Sequence, residues 1–240
     1  MEEILNSIKS LRLPGMAQEW AMLQETRKLD TLSLCDGLRL LLQAEKDQRR
    51  EHRNARLIRE AHFRYRSSIE ELSFDASRGL EQYAVLELAS CRYIRNGIPV
   101  LITGAAGTGK SWLATALGHQ ACMMGHSVLY FNMSKLFEQI NLARVQGIPH
   151  KFFEKLAKTE LLILDDFGVK MLDGQQMLDF MEIMEDRHGR MASIIVSQLP
   201  VKSWYDIMKS NTTAADAILD RIVHSATRFE LQGSSLRRKS

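Results

Sequence analysis

Residues 99–111 read PVLITGAAGTGKS, a short apolar run that ends in a glycine-framed loop closed by lysine and serine. Gly104, Gly109, Lys110 and Ser111 satisfy the GxxxxGK[ST] spacing. The flanking residues supply the setting such a loop needs, a strand before it and the helix-forming SWLATALGHQA after it. Glycines let successive backbone N–H groups turn toward phosphate oxygens, and the positive end of the following helix adds to the attraction. The loop Gly104, Ala105, Ala106, Gly107, Thr108 and Gly109 is therefore expected to cradle the phosphates of ATP. Lys110 would reach the β and γ phosphates, and the Ser111 hydroxyl would hold Mg²⁺. Trp112, next in the chain, is placed with the nucleotide site as well.

Outward from this loop, short apolar runs recur, separated by helical stretches: SVLYFN (127–132), LLILDD (161–166), SIIVSQ (193–198) and TRFELQG (227–233). Continuous apolar runs alternating with helices argue for a mostly parallel five-stranded sheet covered on both faces, the three-layer α/β class. In LLILDDFG four apolar residues bury the strand, and Asp165 at its end is placed to hold Mg²⁺. Asp166 is placed to polarise an attacking water. SIIVSQ ends in Ser197 and Gln198, polar groups where a γ-phosphate would be sensed.

The chain before residue 67 has a different character. Ile4, Leu5, Ile8 and Leu11 make one helical stripe, the LPG at 13–15 breaks it, and Met16, Trp20 and Leu23 resume it. A third helix is expected from near Ser33, which pairs with Asp36 in a capping box, and runs on through AEKDQRREHRNARLIREAHFRYR. The expected division is a helical domain over 1–66 and an ATPase domain over 67–240.

Composition sets limits. The 240 residues are 45% hydrophobic and carry a formal charge of +3, an ordinary globular balance. The start, MEEILNSIKS, has glutamates where a secretory leader needs basic residues. No apolar run approaches the ~18 residues of a membrane span, so a cytoplasmic location is expected. Cys35, Cys91 and Cys122 are far apart and suggest small buried hydrophobes rather than disulfides or a zinc site.

The basic residues cluster. From Lys46 to Arg66 there are eight Lys or Arg against three acids. Lys46, Arg49, Arg50 and Arg53 follow helical spacing along one face, with Arg56 close behind. Such a face can neutralise phosphates without reading sequence, so direct contact with DNA is one expectation and a solvated helix face or a protein-docking surface the other. A second set, Lys135, Arg144, Lys151, Lys155 and Lys158, flanks the second strand and its helix.

Taken together, GAAGTGKSWLA, LLILDDFG, SIIVSQLP followed by Trp204, AILDRI and the terminal FELQGSSLR resemble the IstB-type transposition helper ATPases of bacterial insertion sequences. These are relatives of the DnaC-type helicase loaders within the AAA+ superfamily. The resemblance extends to LCDGLRLLLQAEKDQRREHRNARLIREAHF and so covers essentially the whole chain. It implies an AAA+ fold, with Arg221 in LDRI as an arginine finger reaching a neighbour's nucleotide. It also implies Arg237 as a sensor-2-like contact, Gln198 at the sensor-1 position, and the second basic set facing a central channel. It further implies a homo-oligomer with ATP between subunits, acting on DNA with a transposase. Gln198 stands where relatives commonly have Asn, Asp166 where they often have Glu, and Trp112 where they often have His. A helicase loader is the alternative, and a stand-alone P-loop kinase or metabolic ATPase a more distant one.

Overall fold

The computed structural model describes residues 2–236, apart from the side chains of Asp30 and Ala76. Arg237 lies outside the described residues. The chain forms two compact units that divide between Arg56 and Leu57. The division falls inside a helix, so residues 57–66 belong with the second unit.

The first unit contains α1 (Glu2–Ser10), α2 (Pro14–Glu25) and most of α3 (Leu34–Ala61). Proline at the first helical position starts α2, where its missing N–H costs nothing. The buried Glu45 on α3 receives the orphan N–H groups of Gly15 (2.9 Å) and Met16 (3.3 Å), which docks the start of α2 on α3. Ser33 and Asp36 cap α3 as their spacing predicts: the Asp36 N–H donates to Ser33 Oγ at 3.2 Å, and that hydroxyl donates to the Asp36 carboxylate at 2.6 Å. Of the stripe on α1, only Ile8 is buried, with Ala17, Leu23 and Leu41 as its counterparts. Helix α3 ends at Ala61, because His62 adopts the left-handed conformation at φ 56°.

The second unit continues through α4 (Gln82–Ala89), α5 (Arg92–Arg95), β1 (Val100–Gly104), α6 (Lys110–Met123), β2 (Val128–Asn132), α7 (Met133–Val145) and α8 (Pro149–Lys158). It closes with β3 (Leu161–Phe167), α9 (Gly174–Arg187), β4 (Ala192–Ser197), α10 (Trp204–Ile207), α11 (Thr212–Val223) and β5 (Thr227–Leu231). The five strands are parallel in the order β2-β3-β4-β1-β5, so every strand read from the sequence is present.

Alternate residues feed two cores. Val100, Ile102, Tyr130, Ile163 and Ile194 face the layer of α6, while Leu101, Leu129, Leu162, Leu164 and Ile195 face that of α7, α9 and α11. This is the expected three-layer α/β architecture, a parallel five-stranded sheet with helices on both faces and the phosphate loop leading from β1 into α6. Among the described residues no helix is long and apolar enough to cross a membrane. Cys91 and Cys122 are buried as expected, and burial lifts their thiols to about 11 and about 12. Cys35 is exposed, which corrects the expectation for that residue, since the exposed start of α3 gives it nothing to pack against.

Two arginines are committed to this scaffold. Arg187 is fully buried, and burial lowers its pKa to about 9. Its guanidinium bonds Ser193 Oγ (3.0 Å), the Thr159 carbonyl (2.7 Å) and the carbonyls of Leu156 and Ala192. It thereby ties the end of α8 to the start of β4. Replacing Arg187 with Met removes a buried guanidinium that donates to three carbonyls and to Ser193, and is expected to cost about 3–5 kcal/mol in urea denaturation. Arg144 makes a two-pronged pair with the buried Asp179 of α9, one prong at 2.9 Å. Its charge is met by Asp179, although the side chain stays partly exposed, so less of that charge is available to DNA than at the other basic residues of this set.

Candidate nucleotide site

All the strands end at one edge, and the site assembles there because parallel strands bring their C-terminal loops together. β1 delivers the phosphate loop, β2 Asn132, β3 the two aspartates and β4 Gln198. A cleft of about 450 Å³ runs along the loop from Ala106 to Trp112 and is also lined by Asp166 and Gln198.

Two glycines of the loop have identifiable reasons. Gly104 at the end of β1 lies against β5 so closely that a Cβ would come 2.1 Å from the Leu231 carbonyl oxygen. Gly109 is the N-cap of α6 at φ 96°, a conformation that side chains disfavour. Lys110 is buried and its Nζ donates to the Ala105 carbonyl at 2.7 Å, which keeps the ammonium at the mouth of the loop. Ser111 follows it in the first turn of α6 and also lines the cleft. Arg78, unremarked in the sequence, braces the loop by donating to the Thr108 carbonyl at 3.3 Å.

The carboxylate pair depends on a break in the sheet. β3 and β4 stay in register up to Leu164 and Ile195, then resume with Phe167 opposite Ser197, which leaves one extra residue on β3. At this bulge Asp166 takes a left-handed backbone, φ 60°. In an unbroken strand Asp165 and Asp166 would point to opposite faces. Here both find partners on one face of β2: Asp165 accepts the Tyr130 hydroxyl, and Asp166 Oδ2 accepts Asn132 Nδ2 at 2.6 Å. The other end of the Asn132 amide caps α7 by accepting the Ser134 N–H at 3.0 Å, which fixes its orientation. Asp also visits the left-handed region more readily than Glu, a reason for the shorter acid at this position.

Burial first, and then the charge of Asp165, push the Asp166 carboxyl above the ordinary aspartate range; Arg64, Asn132 and Lys110 pull it back. Burial, followed by the Asp165 charge, also raises the Tyr130 hydroxyl far above its usual value, so it stays a donor.

Other expected residues separate. Gln198 lines the cleft, but Ser197 is buried and donates to the Phe167 carbonyl at 2.7 Å, so it supports the β3 bulge instead of facing phosphate. Arg221 lies on α11, bonded to the Ala217 carbonyl (2.8 Å) and 3.5 Å from Glu185. It does not line the cleft of its own chain. Trp112 packs on Tyr65 with ring centroids 6.1 Å apart, which accounts for an aromatic at this point of the loop.

The whole chain, not only this loop, matches a known family. Residues 6–240 match the family described as IstB-like ATP binding protein. The chain belongs to that family. An insertion sequence ATP-binding protein of Sinorhizobium fredii is 41% identical over 98% of this chain and 95% of its own length. The IS1162 insertion sequence ATP-binding protein of Pseudomonas fluorescens is 37% identical over 83% of this chain and 87% of its own. In fold, the IstB-like chain is similar to the crystal structure of the DnaC helicase loader, with a TM-score of 0.59 at 16% identity, over 69% of this chain and 97% of that one.

The donor set suits a magnesium nucleotide. Asp165 is almost wholly buried, and two neutral donors hold it, the Tyr130 hydroxyl and the Asp166 N–H at 2.8 Å. A buried carboxylate of this kind favours a cation. Among the described residues no group of three or more acids, histidines or cysteines could hold a metal unaided. A metal held by Ser111 and Asp165 would need phosphate oxygens and water to complete its shell, as is usual for Mg²⁺.

On the first unit, Lys46, Arg49, Arg50, Arg53 and Arg56 are all exposed on α3. Arg49 pairs with Glu45 and Arg50 with Asp47, each at 2.7 Å. On the second unit Lys135, Lys151 and Lys155 are exposed. Lys158 pairs with Glu154.

Proposed function

We propose that this protein is an ATPase that assembles with copies of itself on duplex DNA and assists a transposase. The observation that carries the reading is the distribution of the site. Lys110, Ser111, Asp166 and Gln198 line one cleft with Asp165 close behind, while Arg221 lies outside it on α11. A finger that does not face its own nucleotide suits an interface in which each subunit completes the next.

The loop N–H groups and Lys110 would bind the β and γ phosphates and stabilise the charge that develops on them. Asp166 would accept the proton of the attacking water, with Gln198 near the γ-phosphate. Mg²⁺, held by Ser111 and Asp165, would neutralise phosphate charge. Arg221 of one copy would add the missing cation to the site of the next, so hydrolysis reports assembly. The relatives' place in insertion sequences supports transposition as the setting.

The test is assembly on DNA. ATP with a non-hydrolysable γ-phosphate is expected to drive oligomers onto duplex DNA at low salt, and ADP is not. Absence of duplex binding would sink the reading, whereas a preference for single strands with a copurifying helicase would make the protein a loader.

The basic face of α3 gives a second measurement. Changing Lys46, Arg50 and Arg53 to Gln is expected to lower the slope of log affinity against log salt by about 3 and to weaken all sequences alike. An unchanged slope would show that this face does not meet DNA.

A further inference from the structure

Arg64 follows the end of α3, and its Nη1 lies 3.5 Å from Asp166 Oδ2. This is the oxygen that already accepts from Asn132 Nδ2. Building on the reading of Asp166 as the residue that activates water, we propose that Arg64 is a positioning residue that parks Asp166, holding hydrolysis down until the segment that carries it moves.

The geometry makes Arg64 more than a chance surface pair. Its backbone is fastened on both sides. Phe63 meets the Tyr130 ring edge to face at 6.4 Å, and the absent side chain at Gly118 makes room for it, since a Cβ there would come 2.7 Å from the Phe63 ring. Tyr65 packs on Trp112, and Ser67 Oγ donates to the Trp112 carbonyl at 3.1 Å. The guanidinium itself lies over the Tyr65 ring, 5.2 Å from its centroid. Residues 63–67 thus form a strap from α3 to the first turn of α6, with one cation aimed at the carboxylate pair.

A carboxylate oxygen offers two lone-pair directions. Asn132 takes one on Oδ2 by hydrogen bond, and the Arg64 cation, at ion-pair distance from the same oxygen, holds its negative charge and makes it a poorer acceptor for a water proton. Asn132 is fixed by its second duty as the cap of α7. Arg64 is the partner free to leave, because its side chain is 52% exposed and the contact is long. Helix α3, whose earlier turns carry the basic face, runs directly into this strap. DNA held by that face would pull on the segment and release Asp166.

The test is steady-state ATP turnover by the full chain, with and without duplex DNA, for Arg64→Ala, Arg64→Gln and Arg64→Lys, each alone and combined with Asp166→Asn. Loss of an exposed pair of this kind is expected to raise DNA-free kcat about two- to five-fold, with KM for ATP unchanged. The stimulation by DNA shrinks by the same factor. Arg64→Lys keeps a cation and restores part of the restraint, and Asp166→Asn abolishes the gain, which places it at Asp166. Equal thermal midpoints for the Ala and Gln variants keep misfolding out of the comparison. A fall in kcat would mean that Arg64 serves the phosphates, and no change that it serves nothing; either overturns the proposal. Should Asp166→Asn alone turn over ATP at the wild-type rate, the reading of Asp166 fails and the parking role with it. Should Asp166→Asn be inactive while Arg64→Ala is no faster than wild type, only the parking role fails.

Discussion

Asp166→Asn is expected to lower ATP turnover by about 10²- to 10⁴-fold, the range in which a positioned general base contributes. Nucleotide affinity should stay within about two-fold, because the phosphates are held by the loop and Lys110 and not by Asp166. The substitution is chosen for its backbone. Position 166 is left-handed at φ 60°, and Asn tolerates that conformation better than any other side chain of similar size. The variant therefore keeps the β3 bulge, and Asp165 keeps its contact with Tyr130. Turnover and fluorescent-nucleotide binding, measured on the same preparation, separate the two effects. A variant that still hydrolyses would assign water activation to another group.

Arg221→Ala is expected to be as severe, but only where the protein assembles. An arginine supplied in trans is worth on the order of 10³ to 10⁵ in rate, so DNA-stimulated turnover should collapse to the level of the isolated subunit. Stability should hardly change. Arg221 is 25% exposed and its partner Glu185 60% exposed, so no buried charge is left unpaired. ATP binding by the isolated chain should be unaffected, since Arg221 does not line its own cleft. Full activity in the variant would mean that the finger has been misassigned.

Sequence pattern reached far into this fold because its strongest signals are local. Buried parallel strands read as unbroken apolar runs, and a phosphate loop is a single stretch of chain, so the five strands and the Lys110 cradle were legible residue by residue. What stayed hidden depends on pairing between distant segments. The bulge that turns Asp166 back beside Asp165 exists only in the register of β3 on β4, and strand alternation alone would have parted the two acids. Tyr130 and Asn132 look like an ordinary strand end until β2 lies beside β3. Arg144 resembles any exposed basic residue until Asp179, far along the chain, is brought against it. Trp112 reads as a bare aromatic beside the loop until Tyr65, far back in the chain, packs on it. An Asn at the end of a strand and the start of a helix is a legible N-cap signal, and Asn132 could have been found that way.

The central claim, that each nucleotide site is completed by the next subunit, is tested most directly by mixing two inactive variants on duplex DNA. An Asp166→Asn chain has a dead site but keeps its Arg221, and an Arg221→Ala chain has a sound site but no finger to offer. If the finger acts in trans, random mixing at equal concentration makes about a quarter of the heterologous interfaces complete, and ATP turnover returns in proportion. Turnover that stays at the level of the separate variants at every mixing ratio would contradict the account.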